Sequence, residues 1–199
     1  MPSKQELLKK LNEEMAACSK CALRAGCSRV VPGEGNAEAE IMFIGEGPGK
    51  KEDELGRPFV GAAGKFLDEM LASIKLKRED VYIANAVKCR PPENRDPLPE
   101  EAEACWPWLL EQIKIIRPKL VVFLGRHSMN RFFPNEKISE VHGKLLIKNF
   151  GLNPDGSPKR QHFLALYHPA SALYNGGMRE TLLNDFQKIP KALEVAGKK

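Results

Sequence analysis

No stretch of this 199-residue chain comes near the roughly 18 consecutive apolar residues of a membrane-spanning helix, so a helical span is excluded. The opening MPSKQELLKKLNEEM has no apolar core of the kind a secretory signal needs, and export is not expected. Charge of one sign does not dominate: 31 Lys and Arg against 26 Asp and Glu leave a net +5. That balance permits contact with a polyanion without demanding it. Neither low hydrophobicity nor charge excess marks the chain as disordered, since 42% of residues are hydrophobic and 29% charged. The glycine turn GEGPG is not followed by GK[ST] and lacks G-x-G-x-x-G spacing, which removes the P-loop and dinucleotide-binding classes. Cysteine is scarce, five in all. In an unexported chain these do not form a disulfide framework. Metal or cluster ligation is favoured, with catalysis or simple burial as alternatives, and the cytoplasm is the expected compartment. The length suits one domain, residues 1–199, with a sizeable core.

Short apolar runs alternate with helical periodicity. Strands are expected over 40–45, 81–87, 119–124 and 162–166, and helices over 4–16, 62–76, 99–116 and 178–195. Residues 148–160 read as a loop-rich insert, and no internal repeat is visible. Buried strands alternating with helices predict an α/β fold, a largely parallel sheet with helices on both faces. In such sheets the ligand sits beyond the carboxyl ends of the strands. GEGPG, Asn85, Gly125 and His168 all fall at or near those ends.

The run YIANAVKCRPP, residues 82–92, is the densest in meaning. Asn85 interrupts a buried strand, where an amide is costly unless its donor and acceptor both find partners. Cys89 follows at a Pro-rich exit. Cys18, Cys21, Cys89 and Cys105 form a C-x2-C … C-x15-C arrangement. Two residues between thiolates let both face one metal, and four thiolates suit either zinc or a [4Fe–4S] cluster. Cys27 is left over, as core, spare thiol or substitute ligand. Glycines in GEGPG let backbone N–H groups approach an anion, and Glu46 in that turn is placed to orient a water or stabilise positive charge, or is a solvated turn residue. Phe59 either stacks on a flat ligand or staples the start of the following helix. His168, heading HPAS after the last strand, can donate to a developing anion or be structural. His127, His142 and His162 lack such a setting.

Taken together, GEGPGKKED, GRPFVGAAGKFLD, YIANAVKCRPPENRDP, Cys105 and HPAS resemble the family 4 uracil-DNA glycosylases, iron–sulfur members of their superfamily, over about residues 5 to 190. The resemblance implies a three-layer α/β/α fold around a four-stranded, mainly parallel sheet. It implies a [4Fe–4S] cluster on Cys18, Cys21, Cys89 and Cys105, with the N-terminal helix and the Cys18–Cys21 loop forming part of an iron–sulfur lobe. The implied reaction is hydrolysis of the N-glycosidic bond of deoxyuridine in DNA by a monomer. Phe59 would stack on the flipped base, and the Asn85 amide would accept from uracil N3–H and donate to O4. His168 and the backbone about Gly47 would face the uracil anion, and Glu46 the water or the sugar. Gly49 stands where the best-known superfamily members carry a bulky Tyr, so Glu52 is the expected guard against thymine. Leu173, in HPASALYNGG, is the expected wedge into the vacated stack. Arg179, Lys144 and Lys148 are candidate phosphate contacts, none singled out. The KCRPPENRDP loop lacks the insertion with which a related subgroup traps the sugar, which predicts ordinary turnover. A cluster-bearing binding module without catalysis, or an enzyme on free nucleotides, are the competing classes. Keeping Glu46, Asn85 and His168 together argues against the first.

Overall fold

The computed structural model describes residues 2–152 and 158–198. Six strands are present: β1 (Glu34–Gly35), β2 (Ile41–Gly45), β3 (Tyr82–Asn85), β4 (Leu120–Leu124), β5 (Leu145–Leu152) and β6 (Pro158–Leu166). Ten helices accompany them: α1 (Lys4–Ala16), α2 (Leu23–Gly26), α3 (Lys50–Leu55), α4 (Ala62–Ser73), α5 (Pro99–Ile116), α6 (Arg126–Asn130), α7 (Ile138–Val141), α8 (Ser171–Tyr174), α9 (Gly177–Phe186) and α10 (Ile189–Gly197). None is long and apolar enough to cross a membrane.

The strands lie in the order β1-β3-β2-β4-β6-β5. The four inner strands are mutually parallel, whereas β1 and β5 pair antiparallel at the two edges. Every residue of β2, β3 and β4 is buried, which is why they read as unbroken apolar runs: helices cover both faces. Alternation along each strand divides the core in two. Phe43, Ile83, Val122 and Leu164 pack with Phe66 and Leu67 of α4 and Leu182 and Phe186 of α9. Met42, Tyr82, Phe123 and Phe163 pack with Leu8 of α1 and Leu109 and Ile113 of α5. The result is three layers, α/β/α.

The expectation of four strands is corrected to six, because two edge strands add to the parallel four. The expected insert at 148–160 overlaps an edge hairpin, with β5 pairing antiparallel to β6; residues 153–157 of it lie outside the described residues. The helix expected at 178–195 is two helices, α9 and α10. Pro190, near the start of α10, has no N–H to donate to the carbonyl four residues back, so the first helix ends before it. Helix 62–76 stops at Ser73, and strand pairing in 81–87 stops at Asn85. Backbone bonds nevertheless continue past that point, from Ala86 N to Gly45 O and from Val87 N to Glu46 O. They fix the exit of β3 against the glycine turn.

Candidate active site

β2 has β3 on one side and β4 on the other, so the chain leaves it in both directions and a crevice opens at its carboxyl end. A cleft of about 330 Å³ lies there, lined by Glu46, Glu52, Phe59, Asn85, Asp96 and His168 among others. Its volume falls within the range that encloses small ligands.

Asn85 ends β3 directly beside Gly45 of β2. It is 2% exposed, and its Oδ1 has no hydrogen-bond partner. A buried carbonyl left unpaired costs about 1–3 kcal/mol, which marks it as an acceptor kept for something that enters. Gly45 makes room for it. A Cβ there would stand 2.4 Å from Asn85 Oδ1 and 2.6 Å from Phe59 Cζ. Phe59 lines the cleft with its ring, and its backbone has a φ of 51°.

His168 follows β6 and stacks edge-offset on Phe59, ring centroids 5.7 Å apart and 28° from parallel. Its Nδ1 accepts from Ala170 N at 3.1 Å. In the neutral ring the proton therefore sits on Nε2, which is free to donate. Burial pushes the imidazole pKa down to about 4, so that neutral donor is the form present near pH 7.

Glu46 leaves β2 into the turn. Burial, and then the negative charge of Asp96, push its carboxyl up to about 7, against the opposing pull of Arg126. His127 Nε2 lies 3.9 Å from Glu46 Oε2 and 3.1 Å from Asp96 Oδ2. Asp96 comes from the Pro-rich loop after Cys89, and Arg126 and His127 from the first turn of α6. Sequence reasoning missed all three and set His127 aside. The signal was available, since GRH directly follows the carboxyl end of β4, the same criterion that singled out Asn85 and His168. Glu52, in the first turn of α3, accepts from Val60 N and Gly61 N at 2.8 Å each. A Cβ on Gly49 would lie 2.8 Å from its Oε2, so the carboxylate occupies the space that a side chain at 49 would take. Gly47 packs against Val87 and lines the cleft.

Leu173 and Tyr174 of α8 project outward, 52% and 90% exposed, a few residues beyond Ala170 at the cleft. Of the candidate phosphate contacts, Arg179 pairs with Glu69 and lies over the Phe66 ring at 4.4 Å. Lys148 donates to Phe132 O at 2.7 Å, and Lys144 is exposed.

Cys18, Cys21, Cys89 and Cys105 converge from the end of α1, the start of α2, the exit of β3 and α5 onto one small cavity, closed by Met15, Leu23 and Trp108. Trp108 Nε1 donates to Cys18 Sγ at 3.4 Å, and Lys88 N to Cys105 Sγ at 3.2 Å. N–H groups aimed at sulfur favour the thiolate. Burial pushes the Cys89 and Cys105 thiols above their ordinary range, so keeping them ionised together calls for a cation among them. Cys27 is buried beside Cys89 in the same cluster but does not line the cavity. No disulfide joins any of the five.

A sequence profile of the uracil DNA glycosylase superfamily matches residues 32–194. The chain is 47% identical over 200 residues to the type-4 uracil-DNA glycosylase of Archaeoglobus fulgidus, covering 98% of this chain and 96% of that protein. It is 40% identical over 201 residues to the type-4 uracil-DNA glycosylase of Thermotoga maritima, covering 99% and 100%. To the type-5 uracil-DNA glycosylase of Thermus thermophilus it is 32% identical over 166 residues, covering 71% and 69%.

Proposed function

The chain belongs to the uracil DNA glycosylase superfamily, and from that premise we propose that its cleft receives a deoxyuridine flipped out of DNA. The enzyme is a uracil-DNA glycosylase. It hydrolyses the N-glycosidic bond and leaves free uracil and an abasic site, the opening step of base-excision repair. The observation that carries the reading of the cleft is the buried, unpartnered Oδ1 of Asn85.

A base inside the duplex hides its C1′–N1 bond, so it must leave the stack. Phe59 offers a flat face, and Asn85 presents Oδ1 to uracil N3–H and its NH2 group to O4. Cytosine reverses both polarities, and two groups left unpaired cost about 2–6 kcal/mol. As the C1′–N1 bond breaks, its electron pair moves onto the base and a positive charge spreads over C1′ and the ring oxygen. Neutral His168, whose Nδ1 is engaged by Ala170 N so that its proton lies on Nε2, donates to the anion at O2. A neutral donor suffices here, because it gains strength as charge develops on its acceptor. Glu46 stands on the sugar side, where its carboxylate favours the positive charge and the attacking water. That water supplies hydroxide to C1′, and its other proton ends on solvent or the departing uracil. Glu52 closes the C5 side against the thymine methyl, and Leu173 fills the gap left in the stack.

Cys18, Cys21, Cys89 and Cys105 would hold a [4Fe–4S] cluster. Four thiolates lining one cavity are a ligand set that zinc or a cluster accepts, and the likeness to the type-4 uracil-DNA glycosylases favours the cluster. When bound it supplies a cross-link that ties α1 and α2 to the exit of β3 and pins the loop carrying Asp96. The chain is read as a monomer, and cysteines without disulfides suit the cytoplasm. The test is incubation with a uracil-containing oligonucleotide followed by alkali. Strand scission at the uracil is expected, and an intact strand would refute the activity.

A further inference from the structure

Phe59 holds φ at 51°, in the left-handed region that a bulky side chain seldom occupies. Strain of this kind persists only where the surroundings over-determine it. Three groups do so. Arg78, which opens the 3-10 turn Arg78–Asp80 ahead of β3, donates from Nη1 to Phe59 O at 3.1 Å and from Nη2 to Pro58 O at 2.7 Å. Glu52 takes the next two N–H groups, Val60 and Gly61. Gly64, in the first turn of α4, lets the Phe59 carbonyl settle where a Cβ would come within 1.8 Å of its oxygen.

The Arg78 guanidinium is itself fixed. Nε and Nη2 reach Glu34 Oε1 at 3.1 and 2.5 Å, and Nη1 reaches Asp68 Oδ1 at 3.0 Å. Its planar fork spans two successive carbonyls at once, a geometry that the point charge of lysine does not reproduce. Arg78 does not line the cleft. Its hold on the cleft runs through the backbone that turns the Phe59 ring inward, between Gly45 and His168.

We infer that Arg78 is a positioning residue for uracil recognition, gripping the Pro58 and Phe59 carbonyls so that the Phe59 ring stays face-on to the incoming base. This rests on the proposed uracil pocket and extends it to a residue outside that pocket. Glu52 acts on the same loop from the other side, so one carboxylate and one guanidinium clamp consecutive peptide groups. The ring is thereby presented without needing to be ordered by the base itself, which lowers the cost of binding.

The test is a double-mutant cycle on kcat/KM and on inhibition by free uracil, with Phe59→Ala, Arg78→Gln and the pair, alongside Arg78→Lys and Asp68→Asn. Arg78→Gln is expected to lower kcat/KM by about 10- to 100-fold and to weaken inhibition by free uracil in parallel. In the Phe59→Ala background it should add less than about twofold, because the two residues act as one unit. Arg78→Lys should recover part of the loss, and Asp68→Asn, which spares both carbonyl contacts, should stay within about twofold of wild type. Independent, multiplying losses, or an Arg78→Gln enzyme that binds free uracil as tightly as wild type, would overturn the inference. If Arg78→Gln does not fold, the same cycle with Arg78→Lys decides. Wild-type protein that never cleaves uracil-DNA would instead refute the pocket itself.

Discussion

Replacing Gly45 with alanine adds a single methyl group at the junction of β2 and the cleft, and its effect can be worked out atom by atom. The backbone at 45 has no left-handed φ, so alanine costs nothing in conformation there. The added Cβ would lie 2.4 Å from Asn85 Oδ1 and 2.6 and 2.7 Å from two carbons of the Phe59 ring. Ordinary contact begins near 3.4 Å, so one or both side chains must retreat by about 1 Å. Both are otherwise buried, Asn85 2% and Phe59 6% exposed, so the open side is the cleft that the base would fill, and the Phe59 backbone is clamped by Arg78 and Glu52. A 1 Å misplacement at a reacting centre costs about 10²-fold in rate, or roughly 2.7 kcal/mol of transition-state stabilisation. Overpacking should also lower stability, by about 1–3 kcal/mol. Single-turnover kinetics on a uracil oligonucleotide would read the first effect, and thermal unfolding of the same preparation the second. A Gly45→Ala enzyme that cleaves at the wild-type rate would refute the reasoning, since the Asn85 and Phe59 positions would then not govern catalysis.

Asn85→Asp replaces the amide donor to O4 with a carboxylate oxygen and should lower kcat/KM by at least about 10²-fold, while iron content and visible absorbance stay at wild-type levels. Activity should rise with pH through about 7, where Glu46 loses its proton, and then level off; a log kcat/KM profile flat from pH 5 to 9 would contradict the role of its carboxylate. Asp96→Asn removes one of the charges that raise the Glu46 pKa, so the acid limb should move to lower pH, which the same profile measures. His168, already held neutral down to about pH 4, should contribute no limb in that range. Cys89→Ala opens the four-cysteine site and frees one end of the loop carrying Asp96, so loss of iron, a lowered unfolding temperature and loss of activity are expected together, by iron analysis and calorimetry.

Much of the architecture was legible because it is local. β2, β3 and β4 are buried throughout and β6 over residues 163–166, so each carries a short apolar run that needs no partner to be recognised. β1 is two residues long and β5 an edge strand with an exposed Ile147 and Lys148, so neither carries such a run. The polar residues at strand ends, Glu46, Asn85 and His168, stood out because each interrupts or terminates an apolar segment beside a turn. Asp96 and His127 did not, because one sits in a charged loop and the other in a polar helix turn, and only folding brings both against Glu46.

What the chain by itself determined is the set of parts: parallel strands with helices between them, four cysteines at ligand spacing, and an amide placed on a buried strand. Those follow from side-chain periodicity and from residue order and spacing, which the unfolded chain already contains. The tertiary structure alone decided how the parts are tuned. Gly45 is glycine for the sake of Asn85 forty residues on, and Phe59 is held in a strained conformation by Arg78 nineteen residues away. Glu46 gains its raised pKa from burial in the folded cleft and then from Asp96, fifty residues downstream. Burial, unpaired acceptors and shared electrostatics are properties of the space between segments, and that space exists only once the sheet has brought its strand ends together.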